Sequence, residues 1–343
     1  MRTVRRLAAL CGAAAMLLGM PGSAEAAAVK VSDATVIGTH NAYEKDKYTY
    51  FANALDSGAS LLELDVYTDG VSKRWRVSHS NPVGNDNNCE YADSPDELYS
   101  KDRNQDLGSC LDNIAAWHQA HPAHRPIIFK VEMKNGFNND RSLGPDEFDA
   151  LVAAKLGNIV YKPSDLLGTS YSTLDAAAQA NAWPSRDDLT GKVIFELIPG
   201  TVEQSNPLDT YWTDEEYGDH LRDLYAAGTI SAAQAFPAVL GAASGDPRTS
   251  RYDSSIRPWF VVFDGDAATY VNNGYDTAWY DTRHYLLIMT DAAGVSPAIS
   301  STSPTDAEVA ARLSLLAADH ASVITSDWSA KSATVLGSVA GRG

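Results

Sequence analysis

Apolar runs of four to six residues recur along the chain at 34–37, 61–66, 75–78, 127–132, 193–197, 259–263, 285–289 and 322–325. Several are continuous rather than alternating, the pattern of parallel strands covered on both faces. Helical periodicity lies between many of them. After Cys110, Leu111, Ile114, Ala115 and His118 fall on one face, and 146–156 follows Pro145, a good first-turn residue. Thr213-x-x-Glu216 and Thr305-x-x-Glu308 read as capping boxes, the second opening a helix with Val309, Leu313 and Leu316 inward. Eight strand signals alternating with helices predict an α/β fold, a distorted (β/α)8 TIM barrel in a single domain. The spacing is irregular: the second and third strands are close, and little helix separates the sixth and seventh.

The first residues stand outside this pattern. Arg2, Arg5 and Arg6, an apolar run over 7–20 and the small-x-small triplet Ala24-Glu25-Ala26 predict a signal peptide over 1–26 and a secreted barrel domain over 27–343. The run is too short for a comfortable transmembrane span. Three arginines and one glutamate leave with it, which takes the formal charge from −17 to about −19. Such an acidic surface repels nucleic acid and gains nothing from anionic membranes. Cys89 and Cys110 are then the remaining cysteines, and in an exported chain two cysteines pair as a disulfide. Neither has a second ligand at zinc spacing. The bridge would pin one of two long polar stretches, 81–108 and 241–257, over the barrel mouth. The 84–88 segment within the first is read as a turn, with cation binding as the alternative.

The strand ends carry chemistry. His40 and Asn41 follow the first run, Glu63 and Asp65 close the second, His79 follows the third and Glu132 ends the fourth. Carboxyl ends of barrel strands converge on one opening, and residues two apart on a strand point to the same side. Glu63, Asp65, Glu132 and the Asn41 amide oxygen therefore form a hard-oxygen set suited to Ca²⁺ or Mg²⁺. Without a cation, three carboxylates in one pocket would repel. Two histidines supply a base and an acid near neutral pH, as phosphodiester cleavage by a neighbouring hydroxyl requires. Each motif alone has a plainer reading, as a hydrogen-bonding histidine, a cap or an ion pair; their joint arrival at one barrel end favours a site.

Thr39-His40-Asn41-Ala42-Tyr43, Leu62-Glu63-Leu64-Asp65, His79 and Val131-Glu132-Met133-Lys134 together resemble the catalytic X region of phosphatidylinositol-specific phospholipase C, in its secreted, calcium-dependent bacterial branch. The resemblance implies His40 and His79 as the catalytic pair and Asn41, Glu63, Asp65 and Glu132 as Ca²⁺ ligands. It further implies attack by an inositol hydroxyl, expulsion of diacylglycerol and a cyclic inositol phosphate. His79 is then the general acid, and His40 takes the nucleophile's proton or hydrogen-bonds the transition state. Metal-independent relatives carry Asp beside the first histidine and Arg in place of the metal; Asn41 and an intact Glu63-Leu64-Asp65 favour the metal-dependent form. By strand-end position, Lys134, Glu196, Asp264, Asp327 and Trp328 are candidates for substrate binding, Lys134 on the phosphate and Trp328 stacked on the ring.

Two other functions fit parts of the pattern. A glycerophosphodiester phosphodiesterase or sphingomyelinase D-like enzyme shares the His, Glu-x-Asp, His and Glu-x-Lys order, although the former usually has Arg-Gly where this chain has Asn41-Ala42. A retired barrel that binds Ca²⁺ and a polyol or glycan is the non-catalytic reading. The expected partner is a phospholipid or small phosphodiester, met by a monomer in transient contact with a membrane surface. No basic rim is evident for that contact, and Tyr48, Tyr50 and Phe51 are either inserting aromatics or the core side of a first helix.

Overall fold

The computed structural model describes residues 28–84 and 86–343. The predicted signal peptide and Asn85 lie outside the described residues. Eight parallel strands close into a ring: β1 (Ala34–Thr39), β2 (Leu61–Asp69), β4 (Ile127–Met133), β5 (Val193–Pro199), β6 (Ala235–Leu240), β7 (Val262–Asp266), β8 (Leu286–Thr290) and β9 (Val323–Ser326). The ring is completed where β1 pairs with β9 on one edge and, through Gly38 and Thr39, with β2 on the other. Two antiparallel strands are added to it. β3 (Arg74–Val77) folds back on the end of β2, and β10 (Val339–Gly341) pairs with the start of β1.

The predicted barrel and its eight strands are present, but one member differs. The 75–78 run is β3, a hairpin partner and not a barrel strand. The strand that replaces it, β6, reads Ala-Phe-Pro-Ala-Val-Leu, where Pro237 and two alanines hide the signal. The proline is accommodated because β6 pairs with β5 up to Pro237 and with β7 only from Ala238 onward, past the residue without an N–H. The 259–263 run starts early, since Arg257–Trp259 makes a 3₁₀ turn before β7 opens at Val262.

Closure at β1 requires glycine. A Cβ on Gly38 would lie 2.7 Å from the Leu61 Cβ and 2.9 Å from a Thr325 methyl, so β1 could not approach both neighbours with a side chain there. Outside the ring, apolar residues of successive strands meet the helices in one continuous core. The helix Leu107–Ala120 buries Leu111 and Ile114 as predicted, but continues its face through Trp117 rather than His118. The helix Pro145–Leu156 starts on its proline, and Asp306–Ala318 opens with the expected box, Thr305 Oγ1 accepting from Glu308 N at 3.2 Å. The other predicted box does not form. The helix Thr213–Ala226 begins on Thr213 itself, whose N–H is taken at 2.8 Å by the Glu203 carboxylate from the short helix Thr201–Ser205.

Cys89 and Cys110 form the predicted disulfide, with 21 residues of separation. It ties the 81–108 stretch to the helix beside it, and the buried Asn88 amide reaches the Ala42 and Tyr48 carbonyls at 3.1 and 3.0 Å. Tyr48 and Phe51 lie in the core. No described helix is long and apolar enough to cross a membrane.

Candidate active site

Strand register builds the site in two tiers. Glu63 on β2, Lys130 on β4 and Glu196 on β5 are successive cross-strand partners. Asp65 and Glu132 pair two residues further along the same strands. Alternation puts all five on the inner side, so the barrel that is apolar outside is lined by charge within. Lys130 Nζ lies 2.9 Å from Asp264 on β7 and 3.4 Å from Glu63; Lys134 Nζ lies 2.9 Å from Glu132 and 3.1 Å from Asp65.

Glu63, Asp65 and Glu132 each present an oxygen within 4.8 Å of the others. Asp65 is fully buried, and neither of its oxygens accepts a well-aligned hydrogen bond among the described residues, although Lys134 and His79 stand beside it. Burial drives its pKa upward. Glu63 is held low despite burial, because Lys130 and His40 face it. Around two lysines stand five carboxylates, those of Glu63, Asp65, Glu132, Glu196 and Asp264. That imbalance, with an under-coordinated carboxylate at its centre, is what a divalent hard cation relieves. Asn41 stands at the edge of the same cluster in the left-handed region (φ 50°), its N–H donated to Glu63 at 3.1 Å.

The two histidines flank the cluster. His40 Nδ1 lies 3.0 Å from Asp327 Oδ1, and its Nε2 lies 3.6 Å from Glu63 Oε2. Burial lowers its pKa, but the Asp327 hydrogen bond and the Glu63 charge outweigh burial and leave it raised. Lys47 clamps this pair, reaching Asp327 at 2.7 Å and the His40 carbonyl at 2.9 Å. Asp327 is held far below the ordinary carboxylate range, chiefly by the His40 hydrogen bond. His79 presents Nδ1 to the Asn41 amide and the Tyr43 hydroxyl, each at 3.2 Å, and to Asp65 Oδ2 at 3.4 Å. Asp65 raises its pKa. A cavity of about 360 Å³ opens over the cluster, lined by His40, Glu63, Lys130, Glu132, Asp264 and Asp327 among others.

The substrate candidates divide. Asp264 lines the cavity; Lys134 does not, and stands between two of the carboxylates. Glu196 is buried beside Lys130 in the strand register and does not line it. Asp327 lines it but is engaged by His40 and Lys47. Trp328 is fully buried, its indole N–H donated to the Ser300 carbonyl at 3.2 Å, so its ring offers no face for stacking. Sequence reasoning missed Lys130, Lys47 and Tyr43. Lys130 was legible in Lys130-x-Glu132-x-Lys134, three charged positions at strand period on one face; Lys47 and Tyr43 sit in an irregular loop with no period to flag them.

A family described as "Phosphoinositide phospholipase C, Ca2+-dependent" matches residues 47–223. A Ca²⁺-dependent phosphatidylinositol-specific phospholipase C from Streptomyces antibioticus is 58% identical, with a TM-score of 0.90 over 92% of this chain and 100% of its own. A calcium-dependent phosphoinositol-specific phospholipase C from a Gram-negative Pseudomonas sp. is 22% identical, with a TM-score of 0.64 over 91% of this chain and 95% of its own, which shows a shared fold. No curated protein sequence matches the chain.

Proposed function

The chain belongs to the Ca²⁺-dependent phosphoinositide phospholipase C family, a family of phosphoric diester hydrolases, and we propose that His40 and His79 carry its chemistry on either side of the Glu63, Asp65 and Glu132 cluster. The supporting observation is the orientation of His40. With Nδ1 committed to Asp327 at 3.0 Å, a neutral ring carries its proton there and leaves Nε2 without one at the cavity wall, 3.6 Å from Glu63 Oε2. That nitrogen takes the proton of an inositol hydroxyl as its oxygen bonds to phosphorus. The bond from phosphorus to the diacylglycerol oxygen breaks, and protonated His79 supplies the proton that this oxygen needs. The products are diacylglycerol and a cyclic inositol phosphate. Water can open the cyclic ester with the two roles exchanged.

Asn41, Glu63, Asp65 and Glu132 would hold Ca²⁺, which when bound would supply charge that favours the ionised hydroxyl and the phosphate oxygens. The remaining roles follow position. Lys134 faces the phosphate, Asp264 and Lys130 hydrogen-bond the polyol, and Glu196 stands next to Lys130 as its cross-strand partner. Asp327 acts through His40 and is a positioning residue. Residues 27–343 form the exported catalytic domain after loss of 1–26, a monomer that meets its lipid at a membrane surface.

³¹P NMR with phosphatidylinositol tests this reading. A cyclic inositol phosphate resonance should appear with Ca²⁺, vanish with excess chelator, and be lost in His40→Ala and His79→Ala. Turnover of glycerophosphodiesters without a cyclic product would sink the mechanism and leave the barrel standing.

A further inference from the structure

Five carboxylates line the cavity over the cluster, and four of them have partners. Glu63 and Asp264 share Lys130 at 3.4 and 2.9 Å. Glu132 meets Lys134 at 2.9 Å and accepts the Thr201 N–H at 2.9 Å, and Asp327 holds His40 and Lys47. Asp291 is the fifth. Its carboxylate has no hydrogen bond and no ion pair among the described residues. The charges that bear on it are those of Asp266, Asp327 and His40, two of them like its own. The residue directly follows β8 in the left-handed region (φ 46°), a conformation costly for most side chains and best accepted by Asp and Asn.

Its place in the barrel says what this carboxylate faces. The ring runs β1, β2, β4, β5, β6, β7, β8, β9, so β8 stands four strands from β4 in either direction. Asp291, at the exit of β8, therefore sits across the mouth from Glu132, near the end of β4. A headgroup whose phosphate lies at the Glu63, Asp65 and Glu132 cluster turns the far edge of its ring toward Asp291. Inositol offers hydroxyl donors at that edge, and an ionised carboxylate can only accept. Hydrogen bonds to a charged acceptor are the stronger kind. A further phosphate at that edge would meet the wall from Leu240 to Asp327, which holds three carboxylates and no lysine or arginine. Lys130 and His40, the cations that line the cavity, are already engaged.

Resting on the reading that this cavity seats an inositol headgroup, we propose that Asp291 is a specificity-determining residue. It accepts hydrogen bonds from the ring hydroxyls opposite the phosphodiester, and its charge turns away headgroups phosphorylated there. The polyol is then selected twice, by Asp264 and Lys130 within the barrel and by Asp291 at the rim.

The test compares short-chain phosphatidylinositol with its 4-phosphate, both monomeric in solution, in Ca²⁺. Wild type should prefer the unphosphorylated substrate by about a hundredfold or more in kcat/KM. Asp291→Asn keeps the size and suits the left-handed backbone but removes the charge. It should lose roughly five- to fiftyfold on phosphatidylinositol, carried by KM, and narrow the preference about tenfold. Asp291→Gly, which that backbone accepts without strain, should do the same. An unchanged Ca²⁺-induced rise in Tm reports that fold and metal cluster are intact in both variants. Titration with free myo-inositol, followed by NMR, should show the same loss of affinity without turnover. If the wild type hydrolyses neither lipid, the catalytic reading fails and this titration still decides Asp291. Inositol bound equally by wild type and variants, or by none of them, overturns the proposal. So does a wild type that cleaves both lipids equally, a preference that survives in the variants, or a loss confined to kcat.

Discussion

His40, at the end of the first barrel strand, shares a 3.0 Å hydrogen bond with Asp327, 287 residues away and just past the last one. Barrel closure is what makes them neighbours, since β1 and β9 pair directly. The carboxylate fixes both the tautomer and the direction of the ring, and Lys47 fixes the carboxylate. Asp327→Asn should lower kcat by roughly 10²–10⁴-fold with little change in KM. Because Asp327 raises the His40 pKa, its loss should also move the acidic limb of the kcat/KM profile to lower pH. A variant with a normal kcat, or a rise in KM alone, would remove Asp327 from the mechanism.

His79 donates to the leaving oxygen on this reading, and that role has its own signature. With a natural alkoxide leaving group, His79→Ala should cost about 10²–10⁴-fold. A substrate with an acidic phenol as leaving group needs no proton and should recover most of the rate. His40→Ala should show no such recovery, because its partner is the nucleophile. An equal deficit on both substrates would deny His79 the acid's role.

The carboxylate cluster makes a prediction that does not depend on turnover. A cation bound only by the folded state stabilises it by mass action, about 2.7 kcal/mol at a hundredfold excess over Kd. Millimolar Ca²⁺ should therefore raise the Tm of the wild-type protein. Asp65→Asn should abolish that rise, and it should raise the Tm in chelator, because it removes a buried charge facing Glu63 and Glu132. Differential scanning fluorimetry with and without Ca²⁺ reads both. A Ca²⁺ shift that survives in Asp65→Asn would place the ion elsewhere.

What was legible in the sequence follows from how each residue is held. His40, Glu63, Asp65 and Glu132 lie on or directly after strands with strong apolar signals, so the period-2 rule located them. β6 was missed because Pro237 breaks the pattern that defines a strand, and β3 was counted because a hairpin and a barrel strand look alike over four residues. Trp328 shows the limit of strand-end reasoning: its position was right, but only packing decides whether a ring faces the cavity or the core.

Glu203 carries the last prediction, a dependence of stability on pH. It is almost wholly buried, its carboxylate accepts the Thr213 N–H and hydroxyl, and a Cβ on Gly136 would come within 2.5 Å of it. Burial raises its pKa from the ordinary 4.5 to about 8, the Thr213 hydrogen bonds opposing. The folded state thus keeps a proton that the unfolded chain releases near 4.5. The resulting stabilisation is full below that value and is lost as pH rises through about 8. Glu203→Gln keeps an acceptor for Thr213 but cannot ionise. Its Tm relative to wild type should therefore climb by about 2–6 °C between roughly pH 5 and pH 9. A difference that is flat with pH, or that falls, would mean that the carboxylate is ionised in the folded protein and that Thr213 holds it so.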